Sequence, residues 1–154
     1  MIRLATPDDG PALMRMGEAF FQESGYAEQF PFDRPSFAHT YTTLGMAGLL
    51  LVVEQDGAVV GMAAADVAPS ICNHSVLFAR ECFWYVEPRY RKGIGKKLLP
   101  ALEVLVKDRG ASAFDVVAES GKRSDALARV YRAGGFSPSE NSFRKRLKPC
   151  QLVQ

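Results

Sequence analysis

Hydrophobic and polar positions in the first half of the chain predict a strand, two helices and a hairpin. Residues 2–6 alternate apolar with polar side chains, as a short strand does. Apolar residues then recur at helical spacing over residues 11–24, and residues 36–47 predict a second, weaker helix. Residues 49–67 hold two β-rich runs on either side of Asp56-Gly57, which readily adopts the positive φ angles of a tight hairpin turn.

The second half continues this meander and then alternates helices with strands. The predicted elements are a strand (76–86), a helix (94–109), a strand (113–119), a helix (124–132) and a last, polar-faced strand (142–148). Pro100 lies past the first turn of the longest helix and is expected to kink it. Hairpins require antiparallel neighbours and the β-α-β crossover requires parallel ones. The fold class is therefore α/β, a mixed and mostly antiparallel sheet flanked by helices in the order β-α-α-β-β-β-α-β-α-β.

Length and charge narrow the class of protein further. A chain of 154 residues is most simply one domain, spanning residues 1–154. A net charge of +2 does not by itself favour nucleic acid as a partner, and the positive charge is clustered in residues 89–97 and 144–148. The apolar runs are too short to span a membrane or to form a signal peptide. Three cysteines without metal-ligand or CxxC spacing predict reduced thiols, no metal and a cytoplasmic location.

A glycine-containing loop separates the strand at 76–86 from the following helix. Gly93 and Gly95 flank Ile94, and Arg91, Lys92 and Lys96 add positive charge at the same place. Helix starts bind anions through free backbone N–H groups, and glycines allow a phosphate to approach the backbone closely. The stretch therefore predicts a pyrophosphate site. The alternative is that the two glycines only make a tight strand-to-helix turn.

Two segments carry a resemblance to a known family. "YVEPRYRKGIGKKLLPALE" resembles the acetyl-CoA signature of the GNAT N-acetyltransferase superfamily, and "SDALARVYRAGGF" resembles its late motif. The order of elements is also similar to the GNAT topology over almost the whole chain. "FFQESGYAEQFPFD" and "ECFWYVEP" are similar to a subset found in phages and prophages. Two departures occur, because Tyr90 stands where the signature has Gln or Arg, and Ser124 stands where the late motif often has Asn.

The resemblance implies an N-acetyltransferase that uses acetyl-CoA as co-substrate and moves the acetyl group to a primary amine by direct attack. It implies that the pantetheine arm pairs with backbone groups near Tyr85 and Val86, where the fourth strand opens away from the fifth. The full implied cofactor set is Tyr85, Val86, Arg91, Lys92, Gly93, Ile94, Gly95, Lys96 and Ser124. A second hypothesis is a CoA-binding module that has lost catalysis and works as a sensor or partner protein.

The same resemblance assigns candidate catalytic residues. Tyr131 matches the family's general acid, and a phenol stays protonated at neutral pH. Its alternative role is core packing with Leu127. Glu81 interrupts an apolar strand and is the candidate base, because carboxylates are seldom placed there without a partner. A structural salt bridge is the alternative for Glu81, and His74 is a second candidate base.

Recognition of the acceptor should fall to the first two helices and their connection. Glu23, Tyr26, Phe30 and Phe32 lie there, and an acidic and aromatic set suits a cationic amine. Covering the sheet is the alternative role of these aromatic residues. The sequence leaves open whether the acceptor is a small molecule or a protein amine, and whether the protein forms a homodimer.

Overall fold

The computed structural model describes residues 1–119 and 124–147 of the protein. Within these residues the strands are β1 (Ile2–Leu4), β2 (Leu50–Gln55), β3 (Ala58–Ser70), β4 (Asn73–Val86) and β5 (Ala111–Asp115). The helices are α1 (Gly10–Glu23), α2 (Arg34–Met46), α3 (Arg91–Asp108) and α4 (Ser124–Ala133). No helix in the described part of the chain is both long and apolar enough to cross a membrane.

The strands form one sheet in the order β1-β2-β3-β4-β5. The first three pairings are antiparallel and the β4–β5 pairing is parallel, which confirms the predicted mixed and mostly antiparallel sheet. Asp56 and Gly57 have φ angles of 52° and 76°, so this dipeptide makes the β2–β3 turn as its sequence predicts.

Helices cover both faces of the sheet, with a separate hydrophobic cluster under each. On one face, α1 and α2 bury Leu13, Met16 and Leu44 against inward-facing residues of β2, β3 and β4. On the other face, α3 buries Leu98, Leu102 and Val106. The alternation along β4 places Phe83 and Tyr85 in the first cluster and Val86 in the second.

A β-bulge at Cys82 breaks that alternation in the middle of β4. Ala64 pairs with Phe83 but Ala65 pairs with Glu81, so Cys82 has no opposite residue on β3. Side chains three positions apart on a regular strand point to opposite faces, but the extra residue puts Glu81 and Trp84 on the same face. Both therefore lie on the side of the sheet that α3 covers.

The parallel pairing of β4 with β5 stops at Arg80 and Asp115. The strand predicted at 113–119 accordingly starts earlier and ends four residues sooner, at Asp115. At Val117, side chains replace the ladder, because the N–H donates to Glu81 and the carbonyl accepts from Tyr131. The last six residues of β4, Glu81–Val86, consequently have no β5 partner.

Helix α3 is interrupted close to its start. Lys92 and Gly93 have non-helical backbone angles, so the regular helix begins at Ile94, as predicted. Gly93 has a φ of 98°, a conformation that strongly favours glycine. The interruption lies here and not at Pro100, whose backbone angles remain helical. The sequence predicts an irregularity at Pro100, whereas the structure has it at Lys92 and Gly93.

The strand predicted at 142–148 is wrong for residues 142–147, which have no regular secondary structure; residue 148 lies outside the described residues. Arg144 donates to the side chain of Gln29, and Arg146 donates to the Gln29 carbonyl at 2.7 Å. These arginines fix the segment to the connection between α1 and α2. Side-chain hydrogen bonds to a loop take the place of the predicted strand pairing.

Candidate active site

Glu81 and Tyr131 meet where β4 and β5 separate. The Tyr131 hydroxyl lies 3.3 Å from Oε2 of Glu81 and 2.8 Å from the Val117 carbonyl oxygen. The Val117 N–H donates to the same Glu81 oxygen at 3.2 Å. The two residues chosen from sequence as base and acid are thus in direct contact, although they are fifty positions apart.

The surroundings of Glu81 favour its neutral form. Burial raises the pKa of Glu81 to about 7, and the charge of Glu119 acts in the same direction. Hydrogen bonds from Val117 and Tyr131 oppose the shift without cancelling it. A carboxyl group with this pKa can accept and release a proton near neutral pH, as a general base must.

The surroundings of Tyr131 keep its hydroxyl group protonated. The residue is buried, and burial together with the negative charge of Glu81 raises the pKa of its phenol well above the ordinary value. Its ring packs against Phe136 and Trp84, with centroid distances of 5.9 and 6.1 Å. The packing role and the donor role predicted for Tyr131 are therefore compatible, because the ring is packed while the hydroxyl faces Glu81.

The start of α3 lies beside these residues. A Cβ added to Gly95 would lie 3.7 Å from Cζ2 of Trp84, which is ordinary van der Waals contact. No other described atom outside the backbone of α3 and the neighbouring residues lies within 4 Å of it. Gly95 also lacks a positive φ. Neither backbone strain nor crowding by the described residues explains this glycine. An open approach to the backbone at a helix start is what an anionic ligand requires.

Arg91 points back toward the sheet and away from the loop. Its Nε donates to the Val86 carbonyl at 2.8 Å, and its Nη2 lies 2.7 Å from Oε2 of Glu23. The Tyr85 hydroxyl lies 3.5 Å from the other oxygen of Glu23. The Val86 carbonyl, expected to be free, therefore already accepts one hydrogen bond. Arg91 links the end of α1 to the end of β4.

The remaining residues of the predicted cofactor set are at the surface or at helix starts. Lys92 and Lys96 are exposed on the loop and the first turn of α3, and Ile94 packs into the cluster under that helix. Ser124 is the first residue of α4, so the capping position before it lies outside the described residues. The structure shows no contact between Ser124 and the Glu81–Tyr131 pair.

The α1–α2 connection reaches the same region through Tyr26. Tyr26 hydrogen-bonds with Glu119, and burial followed by this contact raises the pKa of Tyr26 to about 12. Arg144 also interacts with the Tyr26 hydroxyl. Phe30 is 52% exposed and its ring lies 5.7 Å from that of Tyr26. The rings of Tyr26, Phe30 and Phe32 all pack against the buried Phe21, and Phe32 also packs against Phe37.

Sequence reasoning missed Val117 and Glu119. Both follow β5, and the carboxyl ends of parallel neighbours lie at the same edge of a sheet. An acidic residue just beyond β5 is therefore expected near the end of the β4–β5 pairing, where Glu81 lies. His74, the other candidate base, lies about 23 Å along β4 from Glu81 at ~3.3 Å per residue, and is exposed. This separation removes it from the site.

Two further observations concern the Cys82 thiol and the side chains that could hold a metal ion. Cys82 is exposed, but partial desolvation of its sulfur and the nearby Asp66 raise the pKa of the thiol to about 11, so it is mostly protonated at neutral pH. Residues 1–119 and 124–147 contain no group of three or more side chains arranged to hold a metal ion. The groups that the structure brings together at this place are a carboxylate, a phenol and a helix start.

The chain is similar to known proteins both in sequence, through a family model, and in fold, through solved structures. The model of the GNAT acetyltransferase family matches residues 13–136. No curated protein sequence matches significantly. Many solved structures share the fold, among them an acetyltransferase from Clostridium acetobutylicum crystallised with acetyl-CoA. It has a TM-score of 0.73 and 18% identity, and the match covers 95% of both chains.

Two other similar structures belong to acetyltransferases whose name or bound ligand indicates an acceptor. The aminoglycoside N-acetyltransferase AAC(6')-Iy, in complex with the bisubstrate analogue CoA-S-monomethyl-acetylneamine, has a TM-score of 0.75 and 16% identity, covering 96% of this chain and 97% of its own. A ribosomal-protein-alanine N-acetyltransferase from Brucella melitensis has a TM-score of 0.68 and 17% identity, covering 96% and 99%. At these identities the likeness concerns the fold.

Proposed function

The chain belongs to the GNAT acetyltransferase family, and we propose that it moves the acetyl group of acetyl-CoA to a primary amine by direct attack. The observation that carries the proposal is the contact between Glu81 and Tyr131 at the end of the β4–β5 pairing. Acyl transfer to an amine needs one group that accepts a proton and another that donates one. A carboxyl with a pKa of about 7 beside a buried phenol supplies both.

Three features support acetyl-CoA as the co-substrate. The last residues of β4 lack a β5 partner, so backbone groups near Tyr85 and Val86 can pair with an extended ligand. Gly95 leaves the start of α3 open to an anion. Lys92 and Lys96 add positive charge there, and Gly93 provides the positive φ that forms the loop. Acetyl-CoA supplies the acetyl group as an activated thioester.

The side chains of this site can complete a proton cycle. Glu81, acting directly or through a water, accepts the proton that the attacking amine loses. Tyr131 donates its hydroxyl proton to the departing sulfur. The 3.3 Å contact then lets Glu81 return its proton to Tyr131, so that both residues regain their starting state. In this direct attack the amine itself displaces the sulfur, so the proposed cycle forms no acyl-enzyme.

The acceptor that fits is a cationic amine, from a small molecule or a protein. Glu119 contacts the Tyr26 hydroxyl and acts electrostatically on Glu81, and the exposed ring of Phe30 lies beside Tyr26. Glu23 lies at the end of α1 and is ion-paired with Arg91. Carboxylates attract an ammonium group, and aromatic faces add cation–π attraction. The bound aminoglycoside analogue and the ribosomal-protein enzyme among the structural neighbours support both kinds of acceptor.

A broad amine panel tests this function. The purified protein is incubated with acetyl-CoA and polyamines, aminoglycosides, amino acids and N-terminal peptides, and acetylated products are identified by mass spectrometry. This readout is preferred to thiol-reactive dyes because Cys72 and Cys82 are free thiols. We expect acetylation of cationic members. Calorimetric binding of CoA without acetylation of any amine would instead indicate the CoA-binding module that has lost catalysis.

A further inference from the structure

Trp84 has a buried polar atom without a partner. Its indole Nε1 is inaccessible to solvent and makes no hydrogen bond to any residue in the described part of the chain. Buried indole N–H groups ordinarily have an acceptor, and leaving a donor unpaired is costly. The atom is covered as well as unpaired, so a ligand that supplies the acceptor must also shift a neighbouring group in order to reach it.

The position of the indole shows where such an acceptor would lie. The bulge at Cys82 puts Trp84 on the same face as Glu81, and the indole ring lies 6.1 Å from the ring of Tyr131. Cζ2 of the indole is the atom closest to Gly95. Cζ2 and Nε1 are both bonded to Cε2, so the edge that carries the N–H faces the start of α3.

Trp84 therefore lies between the two ends of the proposed cofactor site. The helix start at Gly95 suits the pyrophosphate, and the Glu81–Tyr131 pair suits the thioester. The segment of acetyl-CoA that joins them is the pantetheine arm, which carries amide carbonyl oxygens. These oxygens are acceptors of the type that the indole N–H lacks.

We propose that Trp84 is a cofactor-binding residue whose indole N–H donates to an amide carbonyl of the pantetheine arm, holding the thioester beside Tyr131. This inference rests on the proposed use of acetyl-CoA. It accounts together for the unpaired donor, the contact of Trp84 with Tyr131 and the position of the indole edge beside Gly95. It also assigns a role to a side chain that the sequence alone marks only as one aromatic residue in an apolar strand.

Calorimetry with two ligands tests the proposal on Trp84→Phe, which keeps an aromatic ring and removes the donor. CoA carries the arm, whereas adenosine 3',5'-bisphosphate lacks it and serves as the matched control ligand. We expect the variant to bind CoA about 10-fold more weakly, the loss typical of one hydrogen bond, and to bind the bisphosphate as the wild type does. Equal weakening of both ligands, or of neither, would overturn the proposal. Failure of the wild-type protein to bind CoA would instead overturn the proposed function.

The wild-type protein provides a second test, because Trp84 is its only tryptophan. Its fluorescence therefore reports this site without a substitution. Titration with pantetheine should change the emission, since a new hydrogen bond alters the surroundings of the indole, and the bisphosphate should change it far less. An emission change produced fully by the bisphosphate would place the acceptor in the pyrophosphate and contradict the proposal.

Discussion

The hydroxyl oxygen of Tyr131 lies 3.3 Å from a carboxylate oxygen of Glu81, and both atoms contact the backbone of Val117. This contact makes the proposed acid and base a single hydrogen-bonded unit. The unit also holds the chain after β5 away from β4, because its side chains satisfy the Val117 backbone in place of strand pairing. The proposed catalytic pair and the opening between the strands therefore depend on each other.

Glu81→Gln should remove the proton acceptor while keeping the shape of the side chain. In the wild type, Glu81 is protonated below its pKa of about 7 and ionised above it, so activity should rise as the pH passes through 7. The variant should be roughly 100-fold slower at pH 7 and should recover as the pH rises and free amine accumulates. Rates across pH 6 to 10 measure this.

The control for that experiment is Glu103→Gln, which removes an exposed carboxylate on α3 away from the site. Its pH profile should match the wild type. A Glu81→Gln profile parallel to the wild type and uniformly lowered, together with a lower melting temperature, would show that Glu81 has only a structural role.

Tyr131→Phe deletes the proton donor and keeps the ring packing against Trp84. Turnover should fall roughly 10 to 1000-fold, with the affinity for acetyl-CoA little changed. The lost hydrogen bond to Val117 should also cost about 1 kcal/mol of stability. Steady-state kinetics and thermal melts measure the two effects. Tyr41→Phe, which removes a hydroxyl on α2, is the matched control, and turnover equal to that control would reduce Tyr131 to packing.

The double variant of Glu81→Gln with Tyr131→Phe tests whether the pair acts as one relay. Residues that act as a unit give strongly non-additive losses. The double variant should therefore be only a few-fold slower than the slower single variant. Losses that multiply in full would mean that the two residues act independently and that no proton passes between them.

Gly95→Glu should abolish CoA binding without unfolding the protein. Among the described residues outside the backbone of α3, an added Cβ meets only Trp84, at van der Waals distance. A carboxylate at a helix start is favourable for the helix, but it would repel the pyrophosphate. We expect at least a 100-fold loss of CoA affinity by calorimetry. Gly95→Ala should keep most of the affinity. Unchanged CoA affinity in Gly95→Glu would remove the pyrophosphate from this helix start.

The sequence by itself determined the elements whose signals are local. The Asp56-Gly57 turn, the regular start of α3 at Ile94 and the succession of the first five strands along the chain follow from turn chemistry, periodicity and glycine, which act within a few residues. The resemblance of the segment around Tyr131 to the family's late motif likewise pointed to the phenol that lies beside Glu81, because that motif is a short stretch of one helix.

Tertiary structure alone decided how these parts meet. The bulge at Cys82 turns Glu81 and Trp84 to one face, which strict alternation forbids, and it can be seen only from the pairing with β3. The end of β5 at Asp115 and the loss of the strand at 142–147 depend on side chains that bind distant backbone, Glu81 and Tyr131 in one case and Arg146 in the other. Hydrogen bonds between residues far apart in the chain leave no periodic trace in the sequence, so the geometry of the site emerges only when the sheet is assembled.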